Sequence, residues 1–396
     1  METGTEIDSL RPPDRPRPKG AQIRTEPTVT GGDPMRRSVE VEYWVIDDEG
    51  RLIDAGGLVD ASPGAEREFV EPLLEIKTTP CETTGELRAE LFERVEAVVR
   101  RADELDQGLV PLATPMTEQE IEQLPSERTE IQRRAVGDSF DCVRCCAGTH
   151  VHLEQLPGRE IDQLNVLTAL DPALALVNSS PYAGHTPSVP GARSKLYRRS
   201  AYEGIDYQGE LWPYLDAIGE WERRLEAGYE SFAEAAERAG VDRASFESTF
   251  DPEGTVWVPV KLRETFSTVE WRSPDTALPS QAVKLAEDLA GIVGRLEDVD
   301  LRIDGEVGVS TDGTLVLPEF ETIRSHVDAA IGEGIESAAV RAYLDRMGFE
   351  IGAYDPIAHE FDAERELTPA EARRIRLEYA DRLESDIRRA TVAETD

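Results

Sequence analysis

One short segment of the sequence places two carboxylates at alternate positions among apolar and aromatic residues. Segment 38–46 reads Ser-Val-Glu-Val-Glu-Tyr-Trp-Val-Ile, a composition typical of a β-strand. Side chains alternate between the two faces of a strand, so Glu40 and Glu42 share one face at a spacing of about 6.6 Å. Because like charges at this spacing repel each other, the pair is either solvated on an exposed face or bound to cations.

Three further segments place acidic, imidazole or guanidinium groups on one strand face in the same way. Polar residues alternate with apolar ones within segments 68–78, 146–153 and 265–272. The polar set of the four segments is Glu40, Glu42, Glu75, His150, His152, Glu270 and Arg272. Each acid taken alone is more often a solvated surface residue, but repetition across four strands favours a shared site. Carboxylates with an imidazole suit Mg²⁺ or Mn²⁺, so we predict a metal site on this face.

Helices and one long loop must hold these strands in place. Thr83 and Glu86 have the spacing of a capping box, which predicts a helix that continues to about Gln107. Apolar residues at helical spacing predict further helices over 160–177, 211–239 and 280–296. Segment 178–199 is predicted to be a long loop, and its cations suit a lid or clamp over an anionic ligand.

The charge of the chain limits its partners. The 396 residues include 80 acidic and 43 basic ones, and the net charge is −37. Acid spread through every predicted helix is typical of a protein from a salt-rich cytoplasm, where ions screen the repulsion. Since no basic stripe is present, neither nucleic acid nor an anionic membrane is expected as a partner. No signal peptide or membrane-length apolar segment is found, which predicts a cytoplasmic protein.

Domain organisation follows from a change in composition near residue 35. Residues 1–34 are rich in Pro, Arg, Asp and Gly and show no hydrophobic period, so we predict a disordered tail. Residues 35–396 are predicted to form a single catalytic domain with a helical C-terminal part.

The cysteines offer a competing interpretation. Cys142, Cys145 and Cys146 lie close to His150 and His152 in sequence and would allow a zinc site. A structural zinc site usually needs a second pair of ligands at short spacing, which the sequence lacks. We therefore favour buried, reduced thiols. Neither a P-loop nor a Rossmann fingerprint is present.

The ordered set of strand motifs resembles the glutamate–cysteine ligase superfamily. The motifs are Glu40-x-Glu42, the acidic segment 68–78, Gly148-x-His150-x-His152 and Glu270-x-Arg272, within residues 36–296. The closest branch is the second glutamate–cysteine ligase type, which includes carboxylate–amine ligases. This resemblance implies an α+β fold with a curved, mainly antiparallel sheet and helices on its outer face. Such a fold is related to the catalytic fold of glutamine synthetase.

The resemblance also implies a site and a reaction. ATP would bind to the concave face of the sheet through Mg²⁺ ions, with Mn²⁺ as an alternative. The implied metal ligands are Glu40, Glu42, Glu68, Glu75, His150 and Glu270. Arg272 and Arg198 would contact the phosphoryl group or the substrate carboxylate, and Arg193 and Lys195 would bind the nucleotide.

The implied activity is an ATP-dependent ligation through an acyl phosphate. It joins the γ-carboxylate of glutamate to an amine, and cysteine is the expected acceptor. Ser38 stands where the family usually has glycine, and the region after Leu296 matches weakly. A different amine acceptor therefore stays open, as does a relative that binds nucleotide and metal without turnover.

Overall fold

The central element of the fold is the strand at residues 37–47. The computed structural model describes residues 35–117, 121–137, 139–305 and 307–393. The predicted tail at 1–34 lies outside the described residues, and a single domain from residue 35 onward stays a prediction.

Strands from distant parts of the chain form the main sheet. In chain order the strands are β1 (Arg37–Asp47), β2 (Ala65–Arg67), β3 (Leu73–Lys77), β4 (Gln107–Val110), β5 (Thr149–Glu154), β6 (Tyr182–Ala183), β7 (Thr186–Pro187), β8 (Val260–Arg263), β9 (Thr268–Trp271), β10 (Asp300–Ile303), β11 (Val309–Thr311) and β12 (Thr314–Leu317). The seven-stranded sheet has the order β2-β3-β1-β5-β9-β8, and β4 also pairs with β1. Every pair in this sheet is antiparallel. The predicted α+β class with a mainly antiparallel sheet is thus confirmed.

Helices occupy much of the remaining chain. They are α1 (Thr84–Asp103), α2 (Glu127–Val136), α3 (Ser139–Arg144), α4 (Glu160–Leu170), α5 (Ala192–Arg199), α6 (Ile218–Arg238), α7 (Arg243–Thr249), α8 (Pro252–Thr255), α9 (Pro279–Gly294), α10 (Phe320–Gly332), α11 (Ala338–Met347) and α12 (Pro369–Ala393). In the predicted capping box of α1, Thr83 Oγ1 accepts the Glu86 N–H at 3.1 Å, and the Glu86 carboxylate accepts the Thr83 N–H. Within the described ranges, no helix is both long and apolar enough to cross a bilayer.

Two sequence-based boundaries were wrong, whereas that of the second strand was right. This strand was predicted beyond Pro72 and extends from Leu73 to Lys77, because Pro72 cannot donate to a strand ladder. Helix α6 starts at Ile218, seven residues after the predicted start at Leu211. Segment 178–199 is not a continuous loop, because it contains the β6–β7 hairpin and ends in helix α5.

The apolar face of the sheet packs against helices. Val39, Val41 and Tyr43 of β1 are fully buried, on the side where α1 and α9 contact the strand. The Tyr43 hydroxyl donates to the Ala277 carbonyl at 3.0 Å. The second half of β1 is buried on both faces, since the Trp44 indole N–H donates to the Leu112 carbonyl at 2.9 Å. Only the first half of β1 therefore presents polar side chains opposite the helices.

Candidate metal centre

Strand pairing brings the predicted polar residues together as direct cross-strand neighbours. Strands β3, β1, β5 and β9 lie side by side in that order. Their register places three pairs opposite each other: Glu42 with Glu75, Glu40 with His150, and His152 with Glu270. Opposed residues of an antiparallel pair project to the same face about 5 Å apart. The seven residues Glu40, Glu42, Glu68, Glu75, His150, His152 and Glu270 are called the carboxylate–histidine face below.

The carboxylate–histidine face is not a solvated acidic surface. Glu42, Glu75 and Glu270 are 7%, 3% and 1% exposed, and both histidines are 5% exposed. Buried carboxylates are rare unless they are paired or bound to metal. Burial therefore rules out the interpretation of these acids as ordinary surface residues.

The ligand atoms of this face form three overlapping groups. The groups are Glu42–Glu68–Glu75, Glu40–Glu75–His150 and Glu40–His152–Glu270, and in each the atoms lie within 4.8 Å of one another. Two oxygens bound to one Mg²⁺ ion at about 2.1 Å lie at most about 4.2 Å apart. Small side-chain movements would therefore complete each group. Glu40 and Glu75 each belong to two groups and can bridge neighbouring cations.

One buried ring nitrogen supports a cation between Glu40 on β1 and Glu270 on β9. His150 Nδ1 lies 2.9 Å from Glu40 Oε2 and forms a hydrogen bond. His152 Nε2 lies 3.5 Å from Glu40 Oε1, but it has no hydrogen-bond partner although it is buried. An unpaired buried polar atom costs free energy. A cation held between His152 and the neighbouring carboxylates would satisfy this nitrogen, so the residues present fit a metal ion.

Positive charge is distributed unevenly over the carboxylate–histidine face. Burial and the neighbouring Glu68 raise the pKa of Glu75 well above its usual range, although Lys77 Nζ lies 2.6 Å from its Oε2. Burial and the charge of Glu42 raise the pKa of Glu68 to about 8. At the other end burial opposes ionisation of Glu270, but Arg272 and the histidines hold its pKa below the usual range. Burial and neighbouring carboxylates disfavour the charged forms of Glu68 and Glu75, so a cation bound in the Glu42–Glu68–Glu75 group would stabilise them.

Arginines surround Glu270 at the edge of the face. Arg272 Nε lies 3.3 Å from Glu270 Oε1, and Arg263 Nη1 donates to Glu270 Oε2 at 2.7 Å. Arg272 was predicted from the sequence, whereas Arg263 was not, because β8 was not predicted as a strand. The signal was the alternation of Lys261 and Arg263 with apolar residues in segment 260–263.

Two of the predicted ligand-binding cations bind protein groups behind Arg272 instead. Arg193 is 2% exposed, and its Nη1 donates to the carbonyls of Arg272 and Ser273 at 3.0 and 3.1 Å. Arg198 Nη1 donates to Asp171 at 2.7 Å, and its Nη2 donates to Ser273 Oγ at 2.8 Å. The structure therefore does not bring either guanidinium onto the carboxylate–histidine face.

The structure also bears on Lys195, the third predicted ligand-binding cation, and on the predicted lid. Lys195 is exposed on α5, and its nucleotide-binding role stays a prediction. Helix α5 buries Arg193 and Arg198 against the sheet, so the second half of the proposed lid is a packed element.

The zinc alternative gains no support from the described residues. The metal-type groups found among them consist of glutamate and histidine alone. Cys146 is buried and Cys145 is half-buried, whereas the side chain of Cys142 lies outside the description. Cys81 Sγ lies within hydrogen-bonding distance of the Thr79 carbonyl and of Glu90, far from the other three cysteines in sequence.

Gly148 allows two parts of the site to approach each other closely. Its N–H donates to Glu42 Oε2 at 2.6 Å. A Cβ at this position would lie 2.2 Å from Nη2 of Arg193. The absence of a side chain at Gly148 therefore leaves room for the Arg193 guanidinium next to the backbone N–H that binds Glu42.

Comparisons with known proteins identify the family and the fold of the chain. A family model described as "Glutamate-cysteine ligase family 2(GCS2)" matches residues 38–373. The bifunctional glutathione synthetase from Pasteurella multocida is similar in structure, with 16% identity, a TM-score of 0.52 and coverage of 89% of this chain and 53% of that chain. The chain thus spans about half the length of that structure, and the likeness shows a shared fold.

Two weaker structural matches were also found. The glutamate–cysteine ligase from Francisella tularensis in complex with AMP has 11% identity, a TM-score of 0.39 and coverage of 91% of this chain and 94% of that chain. A novel glutamine synthase homologue has 13% identity, a TM-score of 0.35 and coverage of 88% and 71%. Comparison with curated protein sequences gave no match. Since the family model extends from β1 into α12, the chain belongs to the glutamate–cysteine ligase family 2, a family of ligase enzymes.

Proposed function

We propose that this protein is an ATP-dependent carboxylate–amine ligase that joins the γ-carboxylate of glutamate to the amine of cysteine. Membership of the glutamate–cysteine ligase family 2 supports the reaction class. The observation that carries the proposal is the buried carboxylate–histidine face with its three overlapping ligand groups. Several cations bound side by side are what a polyphosphate substrate requires, because its charges must be neutralised during phosphoryl transfer.

The residues that would hold the metal ions follow from the three groups. Glu75 and Glu40 would bridge adjacent ions, and Glu42, Glu68, His150, His152 and Glu270 would complete the sites. Carboxylate oxygens with one or two imidazoles fit Mg²⁺ or Mn²⁺. When bound, these ions would neutralise phosphate charge and polarise the phosphoryl group.

Arg272 lies at the edge of the carboxylate–histidine face, beside Glu270, where its guanidinium could contact a substrate oxygen. A guanidinium has donors only and cannot bind a metal ion, but it binds carboxylate or phosphoryl oxygens in a bidentate manner. Arg263 already provides a counter-charge to Glu270 at 2.7 Å. Arg272 is therefore not needed merely to neutralise Glu270, which favours a role as a clamp on the substrate.

The proposed reaction has two steps. An oxygen of the glutamate γ-carboxylate attacks the γ-phosphorus of ATP, ADP leaves, and an acyl phosphate forms. The amine nitrogen then attacks the activated carbonyl carbon, phosphate leaves, and the nitrogen loses a proton. The burial of Glu42, Glu75 and Glu270 supports a site from which water is largely excluded, which protects the acyl phosphate from hydrolysis.

The test is glutamate-dependent ADP release by the purified protein in molar KCl with ATP and Mg²⁺, measured across a series of amines. We expect cysteine to give the highest rate and a dipeptide-sized product by mass spectrometry. Faster release with another amine would assign a different acceptor. Binding of nucleotide and metal without release for any amine would indicate a non-catalytic relative and contradict the proposal.

We further propose that the reaction takes place in a salt-rich cytoplasm. This proposal rests on composition, because 80 acidic residues against 43 basic ones give a net charge of −37. Such a charge is compatible with a compact fold where concentrated salt screens the self-repulsion.

A further inference from the structure

A buried polar network lies behind β9, on the side opposite the carboxylate–histidine face. Asp171 is completely buried, and its carboxylate pairs with Arg198, whose Nη1 is 2.7 Å away. Asp171 also accepts hydrogen bonds from Trp271 Nε1 at 2.8 Å and from the hydroxyl of Ser273. Arg198 in turn donates to the same Ser273 hydroxyl at 2.8 Å. The network therefore joins the end of α4, helix α5 and the end of β9.

The network holds the backbone on both sides of Arg272. Trp271 and Ser273 are the immediate neighbours of Arg272, and their side chains point away from its own because faces alternate along an extended chain. Arg193 adds hydrogen bonds to the carbonyls of Arg272 and Ser273 at 3.0 and 3.1 Å. The backbone of Arg272 is thus held from behind, whereas its side chain extends towards Glu270 on the carboxylate–histidine face.

Stability alone does not explain this arrangement. The Asp171–Arg198 pair is nearly inaccessible, with side chains 0% and 4% exposed. Removing two charges from water costs much of what their attraction returns, so apolar residues of similar size often serve stability equally well. What apolar residues cannot supply is the directional contact to Trp271 and Ser273 that sets the position of β9.

We propose that Asp171 and Arg198 are positioning residues that fix the guanidinium of Arg272 for contact with substrate. This inference rests on the ligase function proposed above. It gives Arg198 a role through Arg272 rather than through direct contact with phosphate or carboxylate. Both Nη atoms of Arg198 are already bound to Asp171 and Ser273, which supports this assignment.

A double-mutant cycle between Asp171→Asn and Arg272→Lys tests the proposal. Asp171→Asn keeps the shape of the side chain but removes its charge. We expect kcat/KM to fall about 100-fold, the loss typical of a misplacement of about 1 Å, while Mn²⁺ affinity measured by titration stays unchanged. If Asp171 acts through Arg272, the same substitution in the Arg272→Lys background should cost less than about 3-fold. Equal losses in both backgrounds, or normal kinetics of folded Asp171→Asn, would overturn the inference.

A milder variant covers the case in which Asp171→Asn fails to fold. Trp271→Phe removes one donor to Asp171 and keeps an aromatic ring in the core, and we expect about a 10-fold loss with the same dependence on Arg272. The matched control is Asp288→Asn on α9, a 10% exposed aspartate paired with Lys284 at 2.7 Å. We expect this control to keep wild-type kinetics.

Crystal structures separate this inference from the proposed function. In metal-free Trp271→Phe or Asp171→Asn, we expect the Arg272 guanidinium to be displaced from Glu270 while the rest of the carboxylate–histidine face is unchanged. An unmoved Arg272 would refute the positioning role whether or not the protein is a ligase. Failure of the wild-type protein to release ADP, combined with a displaced Arg272, would refute the function alone.

Discussion

Replacing Glu75 by glutamine should abolish metal-dependent function and leave the ion-free fold nearly unchanged. Glu75 is 3% exposed and belongs to two of the three ligand groups. The substitution keeps the size of the side chain and removes one negative charge and one ligand oxygen. Because one residue serves two groups, its loss weakens adjacent cation sites together.

The expected stability of the ion-free variant follows from the charges around Glu75. Glu40, Glu42 and Glu68 each lie within 4.8 Å, and at that distance each repels an ionised Glu75 by ~3.5 kcal/mol at an effective dielectric constant of about 20. Lys77 at 2.6 Å attracts it by ~6 kcal/mol under the same conditions. The three repulsions together exceed this attraction, so removing the charge of Glu75 should not lower the free energy of unfolding of the ion-free protein. The raised pKa of Glu75 has the same cause, because burial and the neighbouring carboxylates disfavour its charged form.

Two assays distinguish the ion-free and metal-bound states. The melting temperature without divalent ions should be no lower than that of the wild type. The rise in melting temperature on adding Mg²⁺ or Mn²⁺ with nucleotide should be much smaller in Glu75→Gln, because a weaker site stabilises the fold less. Turnover in the ADP-release assay should fall at least ~100-fold, about 2.7 kcal/mol of transition-state stabilisation.

A matched control separates the metal site from general loss of acid. Glu220→Gln on α6 removes a partly buried glutamate that pairs with Arg224 at 2.6 Å and lies outside the carboxylate–histidine face. This control should keep both the metal-dependent stabilisation and the turnover. A folded, metal-replete Glu75→Gln variant with normal turnover would show that Glu75 is not a ligand and that the reasoning is wrong.

Two further predictions rest on the site geometry and a third on the charge of the chain. Arg272→Lys should lower kcat/KM for glutamate or ATP at least ~100-fold with metal binding retained, because lysine cannot form a bidentate contact. Unchanged steady-state kinetics would leave Arg272 as a counter-charge of Glu270. Gly148→Ala should destabilise the protein by about 1–3 kcal/mol in urea unfolding, since its Cβ would lie 2.2 Å from Arg193 Nη2; wild-type stability would mean that Arg193 moves aside freely. Because the net charge is −37, the melting temperature should keep rising with KCl well beyond about 0.15 M, where ordinary surface pairs are already screened. A melting temperature that does not change with salt would contradict the adaptation to high salt.

Some features of the site could be predicted from the sequence because they depend on local periodicity. The alternation in segment 38–46 predicts that Glu40 and Glu42 lie on one face of a strand. In the structure both side chains lie on the same face of β1. The Thr83 capping box likewise depends on residues three positions apart, and it is present in the structure. Signals of this kind need no knowledge of distant contacts.

Other features could not be predicted because they depend on contacts between distant segments. The family resemblance implied Glu68 as a ligand, but strand periodicity could not place it, because Glu68 is outside any strand and the turn between β2 and β3 brings it beside Glu42 and Glu75. His152 was part of the predicted polar set but was left out of the ligand set. Its pairing with Glu270, 118 residues away in sequence, places it in a ligand group.

The arginines of segment 178–199 show the same limit. Scarce cations in an apparent loop indicated a ligand clamp, but α5 turns Arg193 and Arg198 towards buried carbonyl and carboxylate oxygens. The residue types that alternate on each strand, and hence the chemistry available to the site, can be read from the sequence. The neighbours of each strand cannot, because register and long-range packing are set by the whole core. The folded chain therefore determines which carboxylates lie close enough to share a cation and which arginine lies beside them.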